Sequence, residues 1–449
     1  MSARSSTTST SGHGQLLRIL GVSFGVAVSI GTIIGAGILR TPGEVAGHLQ
    51  KPWLIMTVWF LGGIYALLGT LCVIELGTML PLEGGWYVYA RRAFGPYGGF
   101  VIGLMDWIVQ SVSMAYTATA LGEFCIELWP SWQGQGKIRL IAVSTVIALT
   151  VLNWIGLKLG SRAQEVTSAI KALALMALVV VCFVLPQTHT VGIVGMGWNI
   201  PREGLLVGIV LAFQAVIATY DGWYSAIYFM EEDRDPVRNL PRSALGGVLL
   251  TIFIFMLINL AFMHVLPIHL LAASKIPAAD AAFAILGNRG RQLVLVIAII
   301  TLVSLINSLM LIAPRILFAI GRDGLFFRRV TDINSGGTPS IALGLSAAIA
   351  VGLILSGDFS RLIAIASVMF VAIYVSGFSA LFVLRKREAG LPRPFKVWGY
   401  PLTPLIVLSG SIAFLVGSAV EDWISAVFTL GVIALTYPVY RVMQRTQST

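Results

Sequence analysis

Apolar stretches of about 20 residues, each long enough to cross a hydrocarbon core of about 30 Å, recur twelve times in this chain. Their centres fall near residues 30, 66, 112, 146, 174, 217, 254, 306, 347, 372, 409 and 431. A backbone that leaves water this often must satisfy its own amides and carbonyls, and without a barrel pattern that means helices. The composition agrees. Hydrophobic residues make up 57% of the 449 and charged residues only 11%, against about 45–50% and about 25% in soluble domains. The expected fold is therefore an all-α polytopic membrane protein of twelve transmembrane helices, with no room for a large soluble domain.

Charge and cysteine usage fit that class. The net charge of +10 would suggest nucleic acid in a soluble chain, but these cations sit in loops between apolar segments. With a cytoplasmic N-terminus, Lys and Arg favour the inner loops about two to one, which places both termini in the cytoplasm. Residues 1–14 are small and polar and read as a disordered tail. Cys72, Cys125 and Cys182 lie in or beside apolar runs without metal or disulfide spacing. Trp53, Trp129, Trp198 and Trp423 stand near outer segment ends, where indoles anchor to the interface. The five histidines are scattered, and no nucleophile–base pair, metal cluster or phosphate loop is visible. No cofactor and no metal are expected.

Two segments carry breaks. Segment 1 reads SIGTIIGAGILRTPG and segment 6 reads ATYDGWYS, with Asp221 and Gly222 in mid-membrane. Unwound backbone survives at that depth only where it lines a cavity or a ligand. Breaks five segments apart suit two inverted five-helix repeats, the pattern of a secondary transporter. On this reading the amides of Gly35, Ala36 and Gly37 face an anionic group, and the carbonyls of Ile33, Ile34 and Tyr220 accept from an ammonium. Close helix packing through small residues is the structural alternative.

Lys171 lies ten positions after Ser161, about 15 Å along a helix, too deep to reach water comfortably. It requires a partner or the loss of its proton. Segment 8 offers Thr301, Ser304, Ser308 and Arg315 as one polar stripe, so Ser304 or Ser308 could meet the ammonium. Arg315 is expected in a gate network with Asp323. Asp221 has three open uses: holding an amine, taking up a proton, or capping a half-helix that begins near Trp223. Glu75 and Asp106 are further acids inside or beside apolar segments.

Longer strings then carry a family resemblance. GTIIGAGI in segment 1 is similar to the signature of the amino acid–polyamine–organocation superfamily, in particular its L-type amino acid transporter branch. CVIELGTMLPLEGGWYVYARRAFGPYGGF at 72–100, YDGWYSAIYFMEEDRDPVRNLPRSA at 220–244 and PRILFAIGRDGLF at 314–326 follow in family order. The resemblance implies a five-plus-five inverted-repeat core over 15–186 and 204–386, two added helices over 400–441, and alternating-access transport. It implies that Lys171 fills the place of a sodium ion, its ammonium against the carbonyls of segment 1. Ala218 departs from the bulky aromatic lid of the branch, leaving Tyr220, Trp223 or Tyr224 as replacements. Trp132, in WPSWQGQ, stands near the cysteine through which animal members join a glycoprotein, so no disulfide-linked subunit is expected. The resulting expectation is a sodium-independent amino acid exchanger in the plasma (inner) membrane, with a lipid bilayer as its solvent. A proton-coupled symporter, a passive channel and an intramembrane enzyme are the alternatives.

Overall fold

A computed structural model describes residues 16–129, 131, 134–190, 204–357, 359–421 and 423–447. The tail 1–14, Trp132 and Trp198 lie outside the described residues. Fifteen α-helices follow one another among these residues: α1 (Val22–Ile33), α2 (Gly37–Leu49), α3 (Pro52–Met79), α4 (Trp86–Leu128), α5 (Gln135–Ile155), α6 (Leu157–Val184), α7 (Leu205–Thr219), α8 (Pro236–Val265), α9 (Ile268–Ala273), α10 (Pro277–Leu286), α11 (Asn288–Arg322), α12 (Ser340–Ser356), α13 (Phe359–Arg387), α14 (Leu402–Glu421) and α15 (Trp423–Gln447). Two isolated bridges are the only β pairing within that part.

By length and apolarity nine of these helices can cross a membrane, and α1 with α2, bent by 46°, forms a tenth, broken crossing. The shorter apolar helices α7 and α12 lie where segments 6 and 9 were expected. Each of the twelve sequence centres therefore falls within a helix. Burial sorts the helices into layers. The apolar windows of α3, α4 and α11 are 67–72% buried, whereas those of α5, α14 and α15 are only 17–22% buried. The latter present Leu140, Ile147, Leu405, Val416, Val427 and Leu430 outward. In lipid such a face needs no cover, because the surroundings are as apolar as the side chains. Trp53, Trp129 and Trp423 are exposed at helix ends, as interfacial anchors require.

The centre is built by α1 lying between α6, α8 and α11, while α2 packs on α7 and α9. Gly25 lets α1 approach Ser243 of α8, and Gly43 lets α2 approach the carbonyls of Leu271 and Ser274, places where a Cβ would overlap its neighbour. The small-residue spacing thus serves close packing as well as the break.

Candidate functional site

The first break lies at Ile34, Gly35 and Ala36, between α1 and α2. The Ile34 amide still bonds the Ile30 carbonyl and Gly35 turns back to Ile33, each at 3.0 Å. Beyond that point the helical ladder stops. The amides of Ala36, Gly37 and Ile38 find no carbonyl among the described residues. They form the N-terminus of α2, where unpaired N–H groups and the helix dipole favour an anion. Thr32, Gly35, Ala36 and Gly37 keep partial exposure while Ile33, Ile34 and Ile38 are buried.

Lys171 is at the middle of α6 and fully buried. Its Nζ donates to the carbonyls of Gly31 and Ile34, each at 2.8 Å. The break in α1 is what frees these two oxygens, so the ammonium replaces the amides that an unbroken helix would have supplied. Ser304 and Ser308 are not its partners. Ser308 donates to its own helix at Ser304 O (3.1 Å), the bond a hydroxyl makes when no better acceptor is within reach. Ser304 instead receives Gln164 Nε2 at 3.2 Å. Gln164 also reaches Ser168 (2.9 Å) and accepts from Asn307 (2.9 Å), while Ser168 donates to Ala27 O at 2.7 Å. The sequence signal for this amide and hydroxyl network is the spacing of Gln164, Ser168 and Lys171, which stand at i, i+4 and i+7 of one helix and make a polar stripe.

The second break follows α7. Residues 220–224 are turns and Ser225–Phe229 is a short 3-10 helix, with no α-helix until Pro236. The expected half-helix near Trp223 is therefore absent, and Asp221 caps nothing. Gly222 explains the turn: at φ +104° it takes a conformation open to glycine, and its missing Cβ makes room for Thr32. Thr32 Oγ1 donates to the Gly222 carbonyl at 2.9 Å, and Ser225 Oγ donates to Thr32 at 2.9 Å. One pair of hydroxyls thus joins the two breaks.

Asp221 is partly exposed, and its carboxylate accepts from Tyr374 of α13. Neighbouring Asp106 of α4 is buried and accepts from Tyr228 (2.7 Å) and Gln110 (3.0 Å). Ala218 is exposed at the end of α7, and the Tyr220 carbonyl accepts from no described donor. The ring of Tyr220 points away, packing on Trp59 and Phe255. Trp223 stacks on Phe378, and Tyr224 lies against Trp86 and Tyr374. Of the three carbonyls expected to receive an ammonium, Ile33 is taken by Gly35 and Ile34 by Lys171, which leaves Tyr220. Tyr374 had no sequence signal, since it is an aromatic in an apolar run.

At the N-terminal end of α1 the site is shut. Leu20 donates to Glu232 O (3.0 Å) and accepts from Arg234 N (3.1 Å), and Phe24 meets Phe229 edge-on at 4.9 Å. Arg315 does not pair with Asp323. Its Nε and Nη2 hold the Glu232 carboxylate at 2.7 and 2.9 Å, with Glu83 at 3.4 Å, all three buried. Asp323 lies a further two turns on, outside the end of α11, and takes Arg91 (2.7 Å) and Tyr87 (2.8 Å). Glu75 is held by Arg385 (2.5 Å) and Arg393 (3.4 Å), a structural pairing. At the opposite end, Thr219 of α7 donates to Thr41 of α2 at 2.9 Å.

A broken-helix pair facing a tethered ammonium is transport architecture, and comparison with known proteins agrees. Residues 20–440 match the amino acid permease family. The chain belongs to that family. It is a polytopic membrane transporter of amino acids, not an enzyme. The serine/threonine exchanger SteT of Bacillus subtilis is 29% identical over 437 residues, covering 96% of this chain and 98% of that protein. The b(0,+)-type amino acid transporter 1 of Mus musculus is 28% identical, covering 91% and 84%. The large neutral amino acids transporter small subunit 2 of the same species is 26% identical, covering 98% and 83%.

Proposed function

We propose that this permease is a sodium-independent exchanger of α-amino acids. The observation that carries the reading is the Lys171 ammonium seated on the Gly31 and Ile34 carbonyls. A covalently held cation at the break leaves no need for sodium there. The substrate carboxylate would sit on the free amides of Ala36, Gly37 and Ile38, and its ammonium beside the Tyr220 carbonyl and the Asp221 carboxylate. Lys171, Ser304 and Ser308 then support the site from behind and do not touch substrate. The names of the exchanger and transporter relatives support exchange and amino acid cargo. Breaks at the first and sixth crossings support two inverted five-helix units, 15–186 and 204–386, followed by 400–441, and the excess of Lys and Arg in the inner loops supports cytoplasmic termini.

One relative's name marks it as a small subunit. Here all three cysteines are buried, which supports function without a disulfide-linked partner. Purified protein in liposomes tests the whole reading. Labelled amino acids from a panel of twenty should enter when unlabelled amino acid is trapped inside, and sodium should add nothing. Uptake that needs sodium, or that ignores internal amino acid, overturns it. Decarboxylated amines and methyl esters should compete at least tenfold less well, since either removes a charge-assisted contact of about 1.5–3 kcal/mol.

A further inference from the structure

The end of the site near Leu20 contains one carboxyl more than its cation can use. Arg315 gives Nε and Nη2 to Glu232 and Nη1 to the carbonyl of Leu311. Glu83, in the turn between α3 and α4, is equally buried but reaches Arg315 only at 3.4 Å. Its Oε1 has no hydrogen-bond donor. Its Oε2 accepts from the Glu231 amide at 3.2 Å, and the Glu83 amide donates to Glu231 Oε1 at 3.0 Å. Two acids, Glu232 and Glu231, also face it. Glu231 is already bound by Arg322 through two contacts of 2.7 Å, and Asp323 beyond it by Arg91. Among the described residues, the cation within reach of Glu83 is Arg315, which Glu232 holds more closely.

We propose that Glu83 is a proton-binding group of this gate, neutral while the gate is shut and ionised when it opens. A protonated Glu83 needs no counter-charge and lets Arg315 serve Glu232 alone. Opening draws the 231–234 segment from Leu20, admits water to the carboxyl and releases its proton to that side. The proton returns from the same side on closure, so none crosses the membrane. Burial, with Glu232 beside it, pushes the Glu83 carboxyl above the usual range in this closed form. The sign follows from linkage. The shut form binds the extra proton, so its advantage is full at low pH and is lost as pH rises from the ordinary carboxylate range through the raised value. The slope is at most about tenfold per pH unit for one proton.

This inference rests on the exchanger reading but is tested separately. In the purified full-length protein, hydrogen exchange at the Leu20 and Arg234 amides is followed between pH 5.5 and 8 (about two and a half decades of proton activity) and corrected for intrinsic exchange. Corrected protection should fall as pH rises in the wild type, stay flat and high in Glu83→Gln, and keep the wild-type slope in Glu231→Gln. A flat wild type, a sloping Glu83→Gln, or a slope abolished by Glu231→Gln overturns the assignment. Should Glu83→Gln fail to fold, the wild-type and Glu231→Gln slopes still decide it. Loss of amino acid exchange altogether would count against the transport reading and not against this one.

Discussion

At the scale of single residues, the sequence located the tethered cation and, through the family resemblance, set it against the carbonyls of segment 1, where Gly31 and Ile34 accept from it. Depth in an apolar run is readable from spacing, so Lys171 stood out. Which two oxygens accept is not written in any side-chain pattern, and the expected contact with Ser304 or Ser308 of α11 is not made. Lys171→Ala should strand two buried carbonyls at about 1–3 kcal/mol each. Exchange in liposomes should fall below about a tenth of wild type by that magnitude, with membrane insertion and elution from size exclusion unchanged. Wild-type exchange would remove the proposed role. Asp221→Asn keeps an acceptor for Tyr374 and deletes the charge. The half-saturating amino acid concentration should rise about tenfold or more, for a lost charged contact of about 1.5–3 kcal/mol, while thermal stability moves little. A change in stability without a change in affinity would make Asp221 purely structural.

At the scale of elements, the twelve crossings and both breaks were legible because lipid imposes length and apolarity directly, and because glycine runs in mid-membrane have few other uses. The form of the second break was not. Whether backbone after Gly222 resumes as α-helix depends on what it packs against, and here Thr32 and Ser225 hold it in tight turns. Gly222→Ala puts a side chain at φ +104° and against Thr32. A strained backbone of this kind costs about 1–3 kcal/mol, so the melting temperature should drop and exchange should be lost together. Thr32→Val keeps the backbone and removes the hydroxyl. It should retain more stability than Gly222→Ala, and equal losses would show that the hydroxyl pair, not the turn, carries the strain.

At the scale of the whole molecule, the ion pairs among the described residues gather at one end of the bundle, Arg291 with Asp280 excepted, and lipid-facing leucines and valines line its flanks. Charge pairing across three distant chain segments was invisible in the sequence: Arg315 is 83 positions from Glu232, and a nearer acid, Asp323, offered a more obvious match. Removing one member of a buried pair is costly, about 3–5 kcal/mol. Arg315→Met should therefore leave Glu232 without its cation and lower the yield of folded protein in mild detergent. Adding Glu232→Gln should recover much of it. No recovery would mean that the guanidinium contributes chiefly through the Phe229 ring, 4.9 Å away.

The ammonium on α6 has a consequence at the level of the cell. A sodium ion that enters with its cargo contributes work in proportion to its own gradient, whereas a lysine side chain has the same concentration on both sides of the membrane, namely none. Its occupancy adds no driving term. Under the exchange reading, one amino acid climbs only as another descends, one for one. Such a protein cannot enlarge the pool of amino acids inside a vesicle. It can only change the pool's composition, and total internal amino acid should stay constant while the labels mix.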